Sequence, residues 1–300
     1  MEYDYEGLKA VGRVSYMALL ESRRLVKEGA GLLDVAERLE AYIREKGFLM
    51  AFPVNISLNE TAAHYAPYAN DGSTFGKDDI VKIDVGARKG QSLGDCAITI
   101  DLSGKYAKLA EACEKALDEA ISLVRNGREV RDIGKCIADV AKGYGFEPIK
   151  NLGGHGLKGG ELHADVFIPN YDNGDTTALN EGQVIAIEPF MTTGEGYVRD
   201  GDETYIFQKN GPAAVRSEDS RRIATFIDEN YETYPFAERW LEKAFPEMGD
   251  FKIKRALREF EALGVMESFP PLVERKGGVV AQSEKEMIVG KDSCEVITKE

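Results

Sequence analysis

The sequence is poor in cysteine, histidine and tryptophan, and basic residues are fewer than acidic ones. Its 300 residues include four cysteines, three histidines and one tryptophan, and 38 Lys and Arg against 52 Asp and Glu give a net charge of −14. The four cysteines are scattered, form no CxxC pair and are too few for a disulfide framework. We therefore expect them to be reduced thiols in a cytoplasmic protein. Clustered basic residues bind nucleic-acid phosphates, and a chain this acidic is therefore expected to bind no nucleic acid.

Long hydrophobic runs are also missing. No apolar stretch approaches the roughly 20 residues that a bilayer-spanning helix needs, so no membrane association is expected. The opening stretch MEYDYEGLK is acidic and polar, unlike a secretory signal. Hydrophobic residues still make up 43% of the chain, enough for a sizeable core. No long exposed apolar seam stands out, and the expected state is a monomer.

A repeat relates two parts of the chain. The segments LVKEGAGLLDVAERLEAYIREKGF (25–48) and LVRNGREVRDIGKCIADVAKGYGF (123–146) align without a gap. In the first copy, a helix is predicted to end at Gly29, because glycine suits the left-handed position after a helix. A second, amphipathic helix is predicted to start near Asp34, a good N-cap residue. The second copy repeats the pattern, which indicates two similar structural halves.

Strands follow each predicted helix pair. They include DIVKIDVGA and DCAITIDL after the first pair, and GQVIAIEPF and ETYIFQ after the second. The pattern predicts an α+β fold with pseudo-twofold symmetry, a mainly antiparallel sheet and a cleft where the halves meet. Residues 212–272 have no counterpart in the first half and are predicted to be a helical subdomain inserted into a single catalytic domain spanning 1–300. The last 25 residues are predicted to rejoin the central sheet.

Acidic residues interrupt several apolar strands, where an unpaired charge is costly. Singly, each has an ordinary explanation as a turn former or a solvent-facing side chain. Together with a glycine-flanked histidine they predict a site for two divalent metal ions, and this oxygen-rich set with one imidazole suits manganese, Fe(II), cobalt or zinc. The five candidate ligands are Asp84, Asp95, His155, Glu188 and Glu284.

Several segments in this order resemble the signatures of type 2 methionine aminopeptidases. They are FPVNISLNETAAHYAP, VKIDVG, GDCAITI, NLGGHGL with ELHAD, AIEPF and VAQSE. The resemblance covers nearly the whole chain and is closest to the archaeal members. It implies the pita-bread fold and removal of the initiator methionine from nascent proteins when the second residue is small, by attack of a metal-bound hydroxide on the first peptide bond.

The resemblance also implies individual roles. Asp84 would bind one metal, Asp95 and Glu284 would bridge the pair, and His155 and Glu188 would bind the other. Two histidines, His64 and His163, would contact substrate and assist catalysis. Four apolar residues would form walls of the methionine pocket, although from sequence alone ordinary core packing is the better explanation for them: Phe52, Leu162, Phe190 and Phe269.

The chain departs from the family pattern at a few positions. The family's AQFEH reads AQSEK, with Ser283 and Lys285, and strand alternation puts these on the face opposite Glu284. Gly160 replaces an aromatic residue, and Asp165 replaces a glycine. Phe269 stands where the family often has tyrosine. These departures bear on substrate preference and loop rigidity.

Three other functions are compatible with the sequence. A proline-directed pita-bread peptidase, such as a prolidase or an Xaa-Pro aminopeptidase, shares the expected ligands but usually carries an additional N-terminal domain. A pita-bread protein that binds RNA or protein without catalysis would usually have lost ligands and gained basic patches. A soluble α+β binding protein without metal is the third.

Overall fold

The computed structural model describes residues 4–300. Seven helices lie within these residues: α1 (Tyr5–Leu25), α2 (Leu32–Glu45), α3 (Ala107–Leu123), α4 (Val130–Tyr144), α5 (Glu218–Asn230), α6 (Glu238–Ala244) and α7 (Gly249–Ala262). The strands of the same residues are β1 (Leu49–Met50), β2 (Asn55–Leu58), β3 (Thr61–Ala63), β4 (Ile80–Val85), β5 (Ala87–Lys89), β6 (Ser92–Leu93), β7 (Cys96–Asp101), β8 (Glu147–Pro148), β9 (Gly153–Lys158), β10 (Glu161–Pro169), β11 (Val184–Ile187), β12 (Phe190–Thr192), β13 (Val198–Asp200), β14 (Ile206–Lys209), β15 (Phe236–Ala237), β16 (Met266–Phe269), β17 (Leu272–Glu274), β18 (Val280–Gln282), β19 (Glu284–Val289) and β20 (Cys294–Val296).

The two helix pairs repeat with the predicted spacing. Helix α1 ends at Leu25 and α3 at Leu123, and α2 starts at Leu32 and α4 at Val130, so both pairs of boundaries differ by 98 positions. Helix α2 is helical because its apolar residues recur on one face, which is buried against the sheet. That face comprises Leu32, Val35, Ala36, Leu39 and Ile43.

The predicted helix boundaries inside each repeat are wrong by a few residues. Helix α1 stops at Leu25, and the chain then runs through a turn that is tied to a distant segment, since the N–H of Gly29 donates to the carbonyl of Phe75 at 2.8 Å. The N-cap of α2 is Gly31, and Asp34 instead lies in the first turn. A negative charge there still favours the helix, because the helix dipole is positive at this end.

The main sheet has eight strands in the order β10-β9-β11-β19-β7-β4-β2, with β20 paired to β19, and its pairings are antiparallel. Strands of the first half lie on one side and strands of the second half on the other. Strand β19, from the last 25 residues, joins them, as predicted. The α+β architecture with a mainly antiparallel sheet is therefore confirmed.

The four repeat helices cover one face of this sheet. Side chains alternate along β4, so Val81, Ile83 and Val85 belong to the buried core with α1 and α2. Asp84 points to the opposite face, together with alternate residues of the neighbouring strands. One face of the main sheet thus packs against the helices and forms the core, which leaves the other face available for a functional site.

The helices α5, α6 and α7 pack around a separate apolar cluster that includes Ile227, Leu257 and Phe260. Strand β14 pairs with β15 and β16 from this region rather than with the main sheet. The assignment of ETYIFQ to the sheet behind the second helix pair was therefore wrong. Its partners are strands that the sequence had not revealed.

A buried ion pair fastens the α5–α7 region to the first half. Arg239 of α6 pairs with Glu40 of α2, and both side chains are almost fully buried. The indole N–H of Trp240 donates to the same carboxylate at 2.9 Å. The contact joins positions about 200 residues apart in the chain.

All four cysteines are unpaired, and Cys96 and Cys113 are buried. Among residues 4–300, the helices are too short or too polar for any of them to cross a membrane.

Candidate functional site

Five adjacent strands bring the five candidate ligands to the free face of the main sheet. Strand β4 carries Asp84, β7 is preceded by Asp95, β19 begins with Glu284, β11 is followed by Glu188, and β9 carries His155. These strands are neighbours in the order β9-β11-β19-β7-β4. Residues spread over 200 positions of the sequence therefore meet because of the sheet order.

The donor atoms lie too far apart for direct hydrogen bonds but close enough to share a cation. Nε2 of His155 is 3.6 Å from Oδ2 of Asp95 and 3.9 Å from Oε1 of Glu188. One ligand atom each from Asp95, His155 and Glu284 lie within 4.8 Å of one another. A metal bound at about 2.0–2.2 Å from each of two ligands separates them by similar distances.

Several carboxylate oxygens at this site lack a protein partner. Oδ1 of Asp84, Oδ1 of Asp95 and Oε2 of Glu284 are buried and have no hydrogen-bond partner among residues 4–300. Leaving such atoms buried and unpaired is costly. The donor set therefore fits divalent cations, which bind carboxylate oxygens and imidazole nitrogen.

The electrostatics of the cluster agree with this fit. Burial raises the pKa of Asp84 to about 7. Burial, together with repulsion from neighbouring carboxylates, raises the pKa values of Asp95, Glu188 and Glu284 well above their ordinary range. Full ionisation of four such groups requires a positive charge between them.

The ring of His155 is oriented for ligation. Its Nδ1–H donates to the carbonyl of Gly156 at 3.1 Å, which leaves the lone pair of Nε2 directed at the carboxylates. Burial, and then the neighbouring His163, lower the pKa of His155 to about 3. The imidazole is therefore neutral, the form that binds metals.

Gln282 contacts two of the candidate ligands, although the sequence analysis assigned it no role of its own. Its amide nitrogen lies 3.4 Å from both Oδ2 of Asp84 and Oε2 of Glu188. Strand alternation places it on the same face as Glu284, and that pattern was the available signal. One side chain thereby links ligands from both halves.

The ligands form the floor of a cavity of about 270 Å³. The two remaining histidines and the four predicted apolar residues also line it: His64, His163, Phe52, Leu162, Phe190 and Phe269. The sequence had not pointed to several other lining residues, among them Asn151, Gly153, Phe167, Ile206 and Pro235. Asn151 and Gly153 lie just before and at the start of β9, Phe167 on β10, Ile206 on β14 and Pro235 just before β15, so their common position depends on the tertiary fold.

His64 and His163 differ in backbone conformation and in exposure. His64 adopts a φ of 65°, which is uncommon for a residue with a side chain, and its ring meets Phe269 edge-to-face at 5.9 Å. Burial lowers its pKa to about 4, with His163 as a second cause. His163 is more exposed, and its ring lies 4.4 Å from that of His155. A positive φ such as that of His64 strains the backbone, and such strain is frequent at active sites.

Residues 6–224 match the sequence model of metallopeptidase family M24. The chain belongs to metallopeptidase family M24. M24 proteins are hydrolases that use a divalent metal cofactor, and the donor cluster described above lies on the elements that this match covers, apart from β19.

Similar proteins extend the comparison over the whole chain. The methionine aminopeptidase of Pyrococcus horikoshii is 41% identical over 297 residues, which cover 99% of this chain and 100% of that protein. A methionine aminopeptidase structure from Thermotoga maritima matches with a TM-score of 0.70 at 23% identity, covering 98% of this chain and 96% of that one. A thermophilic Arx1 structure matches with a TM-score of 0.85 at 17% identity, covering 97% and 89%. The first match confirms the resemblance found in the sequence, and the two structures confirm the fold.

Proposed function

We propose that this M24 metallopeptidase removes the N-terminal methionine from polypeptides whose second residue is small. The observation that carries the proposal is the convergence of five donor side chains at the floor of a cavity with apolar walls. The name and the near-complete coverage of the Pyrococcus horikoshii relative support this substrate. The donors line the cavity rather than a closed structural site. A substrate can therefore reach bound metal ions, which an exopeptidase requires.

We assign the cofactor as two divalent ions per chain, with cobalt, manganese, Fe(II) or zinc as the candidates. Asp84 would hold one ion, His155 and Glu188 the other, and Asp95 and Glu284 would bridge them. The four carboxylates supply four negative charges, which two divalent cations balance. When bound, such a pair supplies a water molecule activated for hydrolysis near neutral pH.

The protein groups around the ions orient the substrate. The apolar walls Phe52, Leu162, Phe190 and Phe269 would enclose the methionine side chain, and the carboxylates would attract its free amine. We carry over the restriction of the second residue to a small side chain from the resemblance to methionine aminopeptidases.

The histidines act on the scissile bond in this proposal. At neutral pH His64 is uncharged, so it can donate an N–H to the carbonyl oxygen as negative charge develops there. His163 lies at the exposed side, where it can pass a proton to the departing amine. Both act as substrate contacts, and neither is needed as a ligand.

The test uses the purified full chain and a Met-Ala-Ser peptide. We expect the enzyme to release methionine and to lose this activity after chelation. Addition of one of the four candidate metals should restore the activity, with two ions bound per chain. Asp84→Asn should reduce both metal content and turnover at least tenfold. The matched control Asp78→Asn, at an exposed residue paired with Lys105, should keep both.

Absence of methionine release with each of the four metals would overturn the proposal. Release from Xaa-Pro peptides in preference to Met-Ala-Ser would favour the proline-directed alternative instead.

The proposal also covers the domain organisation of the chain and its place in the cell. We infer one catalytic domain over 1–300, in which 212–272 is an inserted helical subdomain, since α5–α7 have their own apolar cluster but complete the cavity wall through Pro235. A cytoplasmic monomer that acts on nascent chains and binds neither nucleic acid nor membrane accords with the unpaired cysteines and the net charge of −14.

A further inference from the structure

Phe167 is a large aromatic residue exposed at the mouth of the cavity. It is 46% exposed, although most of the aromatic side chains of this protein are buried at least in part. It lines the same cavity as the candidate ligands. Its ring is therefore available to a molecule that enters the cavity.

The strand register places Phe167 beside the metal ligands. Its Cα is the direct partner of the Cα of His155 on β9. Direct partners in an antiparallel pair lie about 4.5–5.5 Å apart and project their side chains from the same face. The pairing shifts between Ala164 and Phe167, a local irregularity of the kind that re-aims side chains next to active sites.

Gly153 makes room for this ring. A Cβ atom at Gly153 would lie 2.3 Å from the carbonyl oxygen of Ile168, 2.9 Å from Cζ and 3.1 Å from Cε2 of Phe167, so the β10 backbone and the ring together occupy the space that a side chain at 153 would need. Gly153 lies two residues before His155 and shares its face of β9. The ring thus lies close to the β9 backbone, and Phe167 stays 46% exposed while it lines the cavity.

We propose that Phe167 forms an apolar subsite for the third residue of the substrate, and this rests on the proposed function. The methionine side chain is enclosed by the apolar walls, and the second residue is restricted to a small side chain. The third residue is thus the first that can offer a large side chain to a ring at the mouth. Polypeptides that begin with methionine, a small residue and a large apolar residue are the preferred substrates.

The experiment compares Met-Ala-Leu-Ser with Met-Ala-Asn-Ser, which differ at the third residue in polarity but little in size. The metal-loaded wild-type enzyme is expected to favour the leucine peptide about fivefold in kcat/KM, the effect of partly burying one such side chain. Phe167→Ser should bring this ratio close to one, and Phe167→Leu should retain most of it. The control Phe251→Ser alters a residue that is 74% exposed on α7 and outside the cavity, and it should keep the wild-type ratio.

A wild-type ratio near one, or a ratio that Phe167→Ser leaves unchanged, would overturn the subsite while leaving methionine removal intact. A wild-type enzyme that cleaves neither peptide would instead overturn the proposed function, and the subsite with it. The two failures are therefore distinguishable.

Discussion

Oε2 of Glu286 accepts a hydrogen bond of 2.8 Å from the backbone N–H of Asp95. Glu286 is fully buried, and its other oxygen has no partner among the described residues 4–300. The bond crosses between β19 and the start of β7, so it fixes the backbone that carries one of the candidate ligands. Glu286 is thus a positioning residue behind the metal cluster.

Removal of this support should weaken metal binding. We expect Glu286→Ala to raise the dissociation constant for the divalent cation about tenfold, since outer partners of ligands commonly contribute that much. Glu286→Gln keeps an acceptor for the N–H of Asp95 and should cause a smaller loss. Calorimetric titration of the metal-free protein measures both constants, and equal affinity for Glu286→Ala and wild type would refute the role.

Gln282 should matter for affinity as well. Gln282→Leu removes the amide that lies 3.4 Å from both Asp84 and Glu188, and we expect a loss of at least tenfold in metal affinity. Gln208→Leu is the matched control, because Gln208 lies on β14 and is not among the residues that line the cavity. The same titration applies, and an unchanged dissociation constant for Gln282→Leu would show that the amide does not brace the ligands.

Glu238 should make stability depend on pH. Burial raises the pKa of Glu238 to about 7, and the nearby Lys254 only partly offsets this. In the unfolded chain the carboxyl ionises near its ordinary value, so the folded state loses stability as the pH rises from about 4.5 through about 7. Glu238→Gln removes this loss, and relative to wild type it should gain about 1–2 kcal/mol between pH 5 and pH 8.

Urea unfolding of both proteins at several pH values measures that gain. A difference between variant and wild type that stays constant across the range would contradict the prediction.

The buried pair of Arg239 and Glu40 should hold the α5–α7 region in place. Arg239→Ala leaves the buried carboxylate of Glu40 with only the half-exposed Arg44, 3.7 Å away, as a cation, and we expect a loss of about 3 kcal/mol in the free energy of unfolding. Removing both charges, in Arg239→Met with Glu40→Leu, should recover part of that loss. The single tryptophan, Trp240, contacts Glu40, so its fluorescence reports on this contact during unfolding. If Arg239→Ala lowers the free energy of unfolding no more than the double substitution does, the ion pair does not hold the region in place.

The sequence predicted the repeated helix pairs and the candidate ligands because both depend on local patterns. The amphipathic period defines α2, and an acidic residue in an apolar strand singles out Asp84. The helix boundaries near Gly29 were missed because that turn is fixed by Phe75, a contact with a distant segment.

The supporting residues were harder to foresee for the same reason. Phe167 faces the cavity because of a register shift in β10, and Glu286 acts through a backbone atom of another strand. Strand alternation puts Glu286 on the same face as Glu284, but neither its bond to the backbone of Asp95 nor the pairing of Phe167 with His155 has a signature within its own stretch of sequence. Only the assembled sheet brings these side chains to the cluster.

The sheet order also sets the time at which a newly made chain can become active. Asp84 and Asp95 come from the first half, whereas Glu284 is translated 200 positions after Asp84. At about 5–20 residues per second, the ribosome needs roughly 10–40 s to cover that distance. During this interval the growing chain lacks one of the five candidate ligands, so we expect synthesis through β19 to precede any peptidase activity.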